Sequence, residues 1–206
     1  HTEFGVRFPA ALAYLLLSAI VFLTARRIRR SIPAALLGVV LFASMPIALV
    51  GSHLITHDVP LILFASLTWF FLYQALLEGK KRSWYWAGLT FGLALLAKYQ
   101  AVLIGLSALF LLVARKDFRV YLRRKEPYLA ALISLLLFTP TLIWNARNGW
   151  VSFVFQTSHG IQAAAGLRPT EFLTYLLGQM FVVSPLLFLA LCYYGGKKLL
   201  HPRALD

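Results

Sequence analysis

Apolar residues run along this chain in blocks close to one membrane crossing in length, and each block ends in a short polar or basic turn. The blocks fall at 8–25, 33–52, 59–77, 128–144 and 172–194; a helix needs about 20 mostly apolar residues to cross the hydrocarbon layer. A further stretch, 84–114, is apolar-rich but too long for one crossing, and it is interrupted by Gly92 and by the triplet Lys98, Tyr99 and Gln100. Two short helices joined at that triplet fit it better than one overlong helix, because a charge at mid-membrane costs about 2.5–3.5 kcal/mol. The pattern predicts an all-α, polytopic transmembrane helical bundle with about seven spans. Pro9, Pro33, Pro60 and Pro127 fall at or near the starts of spans, where a missing amide hydrogen is tolerated. Pro46, Pro140 and Pro185 lie farther in or nearer the outer end, where they are expected to kink their helices.

Composition agrees with the pattern: 60% of the residues are hydrophobic and the mean hydropathy is +0.76, outside the range of soluble domains. The formal charge of +13 raises the question of nucleic acid. The basic residues, however, form short clusters against apolar runs and no stripe along one helix face, so nucleic acid is excluded as a partner and positive-inside loops account for them. Four Lys and Arg lie in 26–30, three in 80–82, six in 115–125 and three in 197–203, which is sixteen of the 20. Only Arg7, Lys98, Arg147 and Arg168 are left for the other side. That division requires 84–114 to cross twice and turn at Lys98. It predicts a multi-pass membrane protein with its first residue outside and its last in the cytoplasm, and it marks the outer face as the working one. Cys192 is the sole cysteine, so no intrachain disulfide can form. The chain opens at His1 without a signal-peptide layout and is expected to be a single transmembrane domain, 1–206, within a longer protein.

The outer turns hold the candidate chemistry. Asp58 begins a span in SHLITHDVPLILF. It reads as a helix cap accepting hydrogen bonds from the first turn's free amides, and equally as a carboxylate held at the membrane boundary to contact a sugar hydroxyl, assist a base or join a metal site. His53 and His57 are spaced i,i+4 with Asp58 beside them, a set able to hold a divalent metal; interfacial histidines hydrogen-bonded to neighbours are the simpler reading, and no metal is assigned. Lys98 reads as a snorkelling lysine or as a phosphate contact. Arg7, Arg147 and Arg168 are the other outer cations, able to contact lipid headgroups. The outer segment 145–170 carries Trp150, Phe153 and Phe155, with Trp144 just before it, aromatics that suit an interfacial belt. It predicts a short amphipathic helix lying on the membrane, followed by Gln156, Thr157, Ser158 and His159 as candidates to line a carbohydrate pocket.

Four stretches in order, TEFGVRFPAAL, THDVPLILF, GLTFGLALLAKYQAVL and TPTLIWNARNGWVSFVFQ, resemble the bacterial glycosyltransferase family 39 group and its dolichyl-phosphate-mannose protein mannosyltransferase-like relatives, including the aminoarabinose transferases of lipid A. The order and spacing of the stretches carry the resemblance. It implies a GT-C fold and inverting transfer of a sugar from a polyprenyl-phosphate donor, used as co-substrate, to a glycan, lipid or protein acceptor on the outer face. By the same resemblance Lys98 and Arg7 are donor-phosphate contacts, with Arg147 a further candidate. Asp58 is expected to be a supporting catalytic carboxylate, and His57, Tyr99, Gln100 and His159 are, from their place in the outer turns, candidates for the substrate pocket. The principal catalytic base is expected upstream of residue 1, since no Asp-Glu pair occurs in these residues. The alternative reading is a polytopic transporter or flippase of a lipid-linked or small anionic substrate. Such a protein more often places ionisable groups within its spans and shows paired broken helices in two repeated halves; no such duplication is visible here.

Overall fold

The computed structural model describes residues 3–51, 56, 58–163 and 169–200, and these form helices and turns with no strand among them. In chain order the helices are α1 (Glu3–Arg29), α2 (Ile32–Ala43), α3 (Pro46–Gly51), α4 (Asp58–Leu76), α5 (Lys81–Ala97), α6 (Val102–Ala114), α7 (Lys125–Arg147), α8 (Val151–Ala163), α9 (Pro169–Val183) and α10 (Pro185–Leu200). Single 3-10 segments precede α6 (Tyr99–Ala101) and α7 (Lys116–Arg123). The all-α class is thus the observed one.

Among the described residues three helices are long and apolar enough to cross a membrane, Arg7–Arg29 of α1, then α4 and α7, or four spans if the bent pair α9 and α10 makes one. Their apolar faces look outward as well as inward, and only 22% of the most apolar window of Arg7–Arg29 is buried within the protein, so lipid must cover the remainder. A count of seven crossings needs the shorter helices too. α2 has 12 residues and α6 has 13, about 18 and 20 Å at 1.5 Å per residue, less than the hydrocarbon thickness of about 30 Å.

Prolines decide where the apolar blocks break. The expected single span 33–52 is two helices, because Pro46 has no amide hydrogen to continue α2 and biases Met45 away from helical backbone; Ser44 and Met45 close the turn onto Val40 O and Phe42 O instead. The expected span 172–194 is likewise broken. α9 and α10 meet at Ser184, whose φ is 90°, with a bend of 110° between Thr170–Val183 and Leu187–Lys197 just ahead of Pro185. Pro140, by contrast, lies inside an unbroken α7. Pro9 lies inside α1, which starts earlier than the apolar block suggests.

α5 packs between α4 and α7, and α1 packs against α2 and α4. The α5–α7 contact is backbone on backbone. A Cβ on Gly88 would overlap the Ala130 carbonyl oxygen and lie 2.7 Å from Ala130 Cα, and one on Gly92 would lie 3.1 Å from Ser134 Cα. These glycines are four apart and share one face, the small-residue arrangement that lets membrane helices approach closely. Thr68 donates to Thr90 at 3.0 Å across the buried α4–α5 face. The core beneath contains Leu72, Ala75, Trp84, Ala87, Leu112 and Ala130.

Contacts between turns show that 84–114 does double back at Lys98. At one end of the bundle Tyr121 Oη donates to Leu76 O at 3.2 Å and its ring lies 5.6 Å from that of Trp84. At the same end Glu78 pairs with Arg27 and with Lys80, each at 2.7 Å. The basic clusters at 26–30, 80–82 and 115–125 are therefore gathered at one end, and Lys98 stands at the other.

Candidate functional site

At the end opposite the basic clusters, the first residue of α4 meets the residue that stops α5. Lys98 is in extended backbone, φ −161°, with its amide still bonded to Ala94 O, so its side chain leaves the helix just where the chain reverses. Its Nζ lies 2.6 Å from Asp58 Oδ1. The lysine side chain is 26% exposed and that of Asp58 48%, so the pair is half-buried, with the carboxylate the more open partner. An ammonium carries three donors, and one carboxylate leaves it able to hold a second anion.

The residue after Lys98 anchors that turn. The Tyr99 ring stacks on Phe153 of α8, with centroids 5.2 Å apart and planes at 11°, and meets Phe138 of α7 edge-on at 5.9 Å. Its hydroxyl accepts a long 3.5 Å contact from Asn145 Nδ2. Asn145 is 0% exposed; its Nδ2 also donates to Thr141 O at 3.0 Å, and its Oδ1 accepts from the Ser152 amide at 3.2 Å. Its main-chain oxygen accepts from Trp150 N at 2.8 Å, the six-residue closure of a Schellman helix end with Gly149 left-handed at φ 65°. Trp150 follows with φ 57°, a conformation that costs a bulky residue about 1–2 kcal/mol and is held here by those bonds. Asn145 thus ties α7, α8 and the Lys98–Tyr99 turn together.

Beside Asp58, between α1 and α4, lies a hollow of about 460 Å³ lined by residues that include Pro9, Ala10, Ala13, Pro60 and Phe64. Its walls are mainly apolar, with Thr56 among them. Arg7, exposed on α1, is one turn of helix before Ala10.

The expected site residues are therefore partly assembled. Asp58 and Lys98 are in contact, and Tyr99 lies beneath them as an anchor between α7 and α8. Gln100 is exposed on the same turn, and Arg147 is exposed at the end of α7, two residues past Asn145. The expected helix in 145–170 is present as α8, but Thr157 and Ser158 donate to carbonyls of their own helix and Gln156 is exposed. His53, His57 and Arg168 lie outside the described residues, as does the side chain of His159, so the metal-capable trio His53, His57 and Asp58 has no described geometry. Sequence reasoning missed Asn145, because a polar residue after an apolar run reads as the exit into a loop. The signal that could have found it was its place between Trp144 and the turn-forming Asn148-Gly149.

Helices too apolar for water, packed on apolar clusters and carrying their charges at the ends of the bundle, define a multi-pass membrane protein. Residues 1–144 match the family of the dolichyl-phosphate-mannose-protein mannosyltransferases, and the chain belongs to that family. It is accordingly a membrane glycosyltransferase of the GT-C type. The matched range contains both Asp58 and Lys98. No curated protein and no solved structure matches the chain.

Proposed function

We propose that the protein transfers a sugar from a polyprenyl-phosphate donor to an acceptor hydroxyl on the outer face of the cytoplasmic membrane, with Lys98 holding the donor phosphate. The observation that carries this reading is the Lys98–Asp58 pair, 2.6 Å apart, at the end of the bundle away from the basic clusters. In an inverting transfer the acceptor oxygen attacks the anomeric carbon while the bond from that carbon to the phosphate oxygen breaks, and negative charge builds on the departing phosphate. An ammonium fixed at a partly dry boundary stabilises that charge more than it stabilises the bound donor, which is what lowers the barrier. Asp58 takes the supporting role: bonded to Lys98, it fixes the direction of the ammonium. The general base that deprotonates the acceptor is assigned to a different carboxylate.

Arg7 and Arg147 are the further cations of this face, and the apolar hollow between α1 and α4 suits an isoprenoid chain beside Asp58. The orientation follows from positive-inside loops: the gathered Arg and Lys lie in the cytoplasm and Lys98 faces out. The direct test is transfer of labelled sugar from a polyprenyl-phosphate sugar by membranes containing the protein. Turnover is expected with the wild-type chain in its native context and should fall sharply with Lys98→Ala. Unaltered turnover in that variant would remove Lys98 from the site.

A further inference from the structure

Leu23, Arg26, Arg27 and Arg30 follow at i, i+3, i+4 and i+7, so they share one face of the last turns of α1. With Ile32 they line a hollow of about 520 Å³ at the corner between α1 and α2. The corner is made by Arg30 itself, which leaves the helix at φ 50° and brings Ile32 round to the opposite wall; its amide still reaches Arg26 O at 2.8 Å. The three arginines are not equivalent. Arg27 is bound to Glu78, with Nη1 2.7 Å from both carboxylate oxygens, and is fixed over the Phe70 ring at 5.3 Å. Among the described residues, no carboxylate lies within ion-pair distance of Arg26 or Arg30. Among those residues, then, the basic end holds two guanidinium groups without a carboxylate partner around a hollow that has two apolar walls.

We propose that this hollow binds the phosphate-bearing headgroup of an anionic phospholipid. Guanidinium forks match phosphate oxygens in pairs, while Leu23 and Ile32 offer contact to the first methylenes of a lipid, which a free anion does not have. The hollow lies where the apolar run of α1 gives way to its basic turn, at headgroup depth. A generic cloud of inner cations would attract anionic lipid without regard to position; a site depends on Arg26 and Arg30.

The test uses the full chain purified in detergent, with native mass spectrometry counting retained phosphatidylglycerol or phosphatidylcholine. Wild type is expected to retain phosphatidylglycerol selectively. Each arginine near an anionic lipid is worth about fivefold in binding, so Arg26→Gln with Arg30→Gln should weaken retention by more than tenfold. Arg29→Gln with Lys81→Gln removes the same charge away from the hollow and should change retention less than twofold. Equal losses in the two double variants would overturn the site in favour of diffuse attraction, and displacement of the lipid by inorganic phosphate at matched concentration would overturn the lipid assignment. If the double variant fails to fold, the single variants make the same comparison: a loss of about fivefold with Arg30→Gln against less than twofold with Arg29→Gln supports the site, and equal losses overturn it.

Discussion

The two ends of this bundle are built on opposite electrostatic plans. At one end, cations are plentiful and the carboxylate of Glu78 is shared between Arg27 and Lys80. At the other, one lysine meets one aspartate, and the supporting contacts are a buried amide, a stacked tyrosine and a strained helix end. Redundancy suits orientation, since any one of many cations can be lost without reversing a topology set by their sum. At the opposite end the position of one charge is fixed by a specific partner, Asp58, and a charge held in place acts on its neighbours in a way that a more distant cation cannot replace. Substitution of a charge should therefore be tolerated at the basic end and costly at the Lys98 end.

Removing one cation from each end tests this contrast most severely. Lys98→Ala is expected to lower sugar transfer by about 10²-fold or more, the usual effect of deleting one preorganised donor, while Lys81→Ala should leave the rate near wild type. Similar rates in both variants would erase the functional difference between the ends. Next in size is the packing that holds both ends in register. Gly88→Val places a branched side chain against the backbone at Ala130 and should destabilise the α5–α7 pair by about 1–3 kcal/mol or more, seen as a lowered thermal midpoint in detergent. A midpoint equal to wild type would mean the helices can part at that contact at little cost.

Asn145→Ala removes the buried amide that joins Tyr99, Thr141 and Ser152, and about 1–3 kcal/mol of stability with it. Faster proteolysis is expected in the segment after Arg147, and a greater loss in transfer rate than in retained phosphatidylglycerol. Equal loss of both would show that Asn145 holds the whole bundle and not the Lys98 turn in particular. The smallest effect lies at the basic end. The carboxyl of Glu78 is held below its ordinary range by hydrogen bonds from Lys80 and then Arg27. The unfolded chain binds that proton more readily, so the pair stabilises the fold above the ordinary carboxylate range and the contribution is lost as pH falls through the lowered folded value. Being a surface pair, it is worth at most about 1 kcal/mol. Glu78→Gln should reduce the thermal midpoint slightly at neutral pH and not at all at strongly acid pH; a constant difference across that range would sink the assignment.

Much of this architecture can be read from the order of residues. Apolar blocks and basic turns point to the all-α class and the reversal at Lys98, because the penalty for burying charge in hydrocarbon acts locally on a few residues at a time. The breaks at Pro46 and Pro185 are only half-legible: proline removes a hydrogen bond wherever it occurs, yet Pro140 sits in a continuous helix. Whether neighbours hold the chain straight is a tertiary matter. Among candidate site residues, Lys98 and Asp58 stand out as isolated charges at block ends, but Asn145 does not, since its amide gains meaning only from Tyr99 and Ser152 arriving beside it.

Which segments avoid water and which turns carry the charge follow from the residue order alone, since transfer between water and hydrocarbon is a property of each short segment. That Lys98 reaches Asp58, 40 positions away, does not follow from it. Nor does the seating of Gly88 and Gly92 against α7, or the meeting of Asn145 with Tyr99. Those are distances between elements remote in the chain, set in the folded molecule by how closely backbones can approach, and no local pattern encodes them.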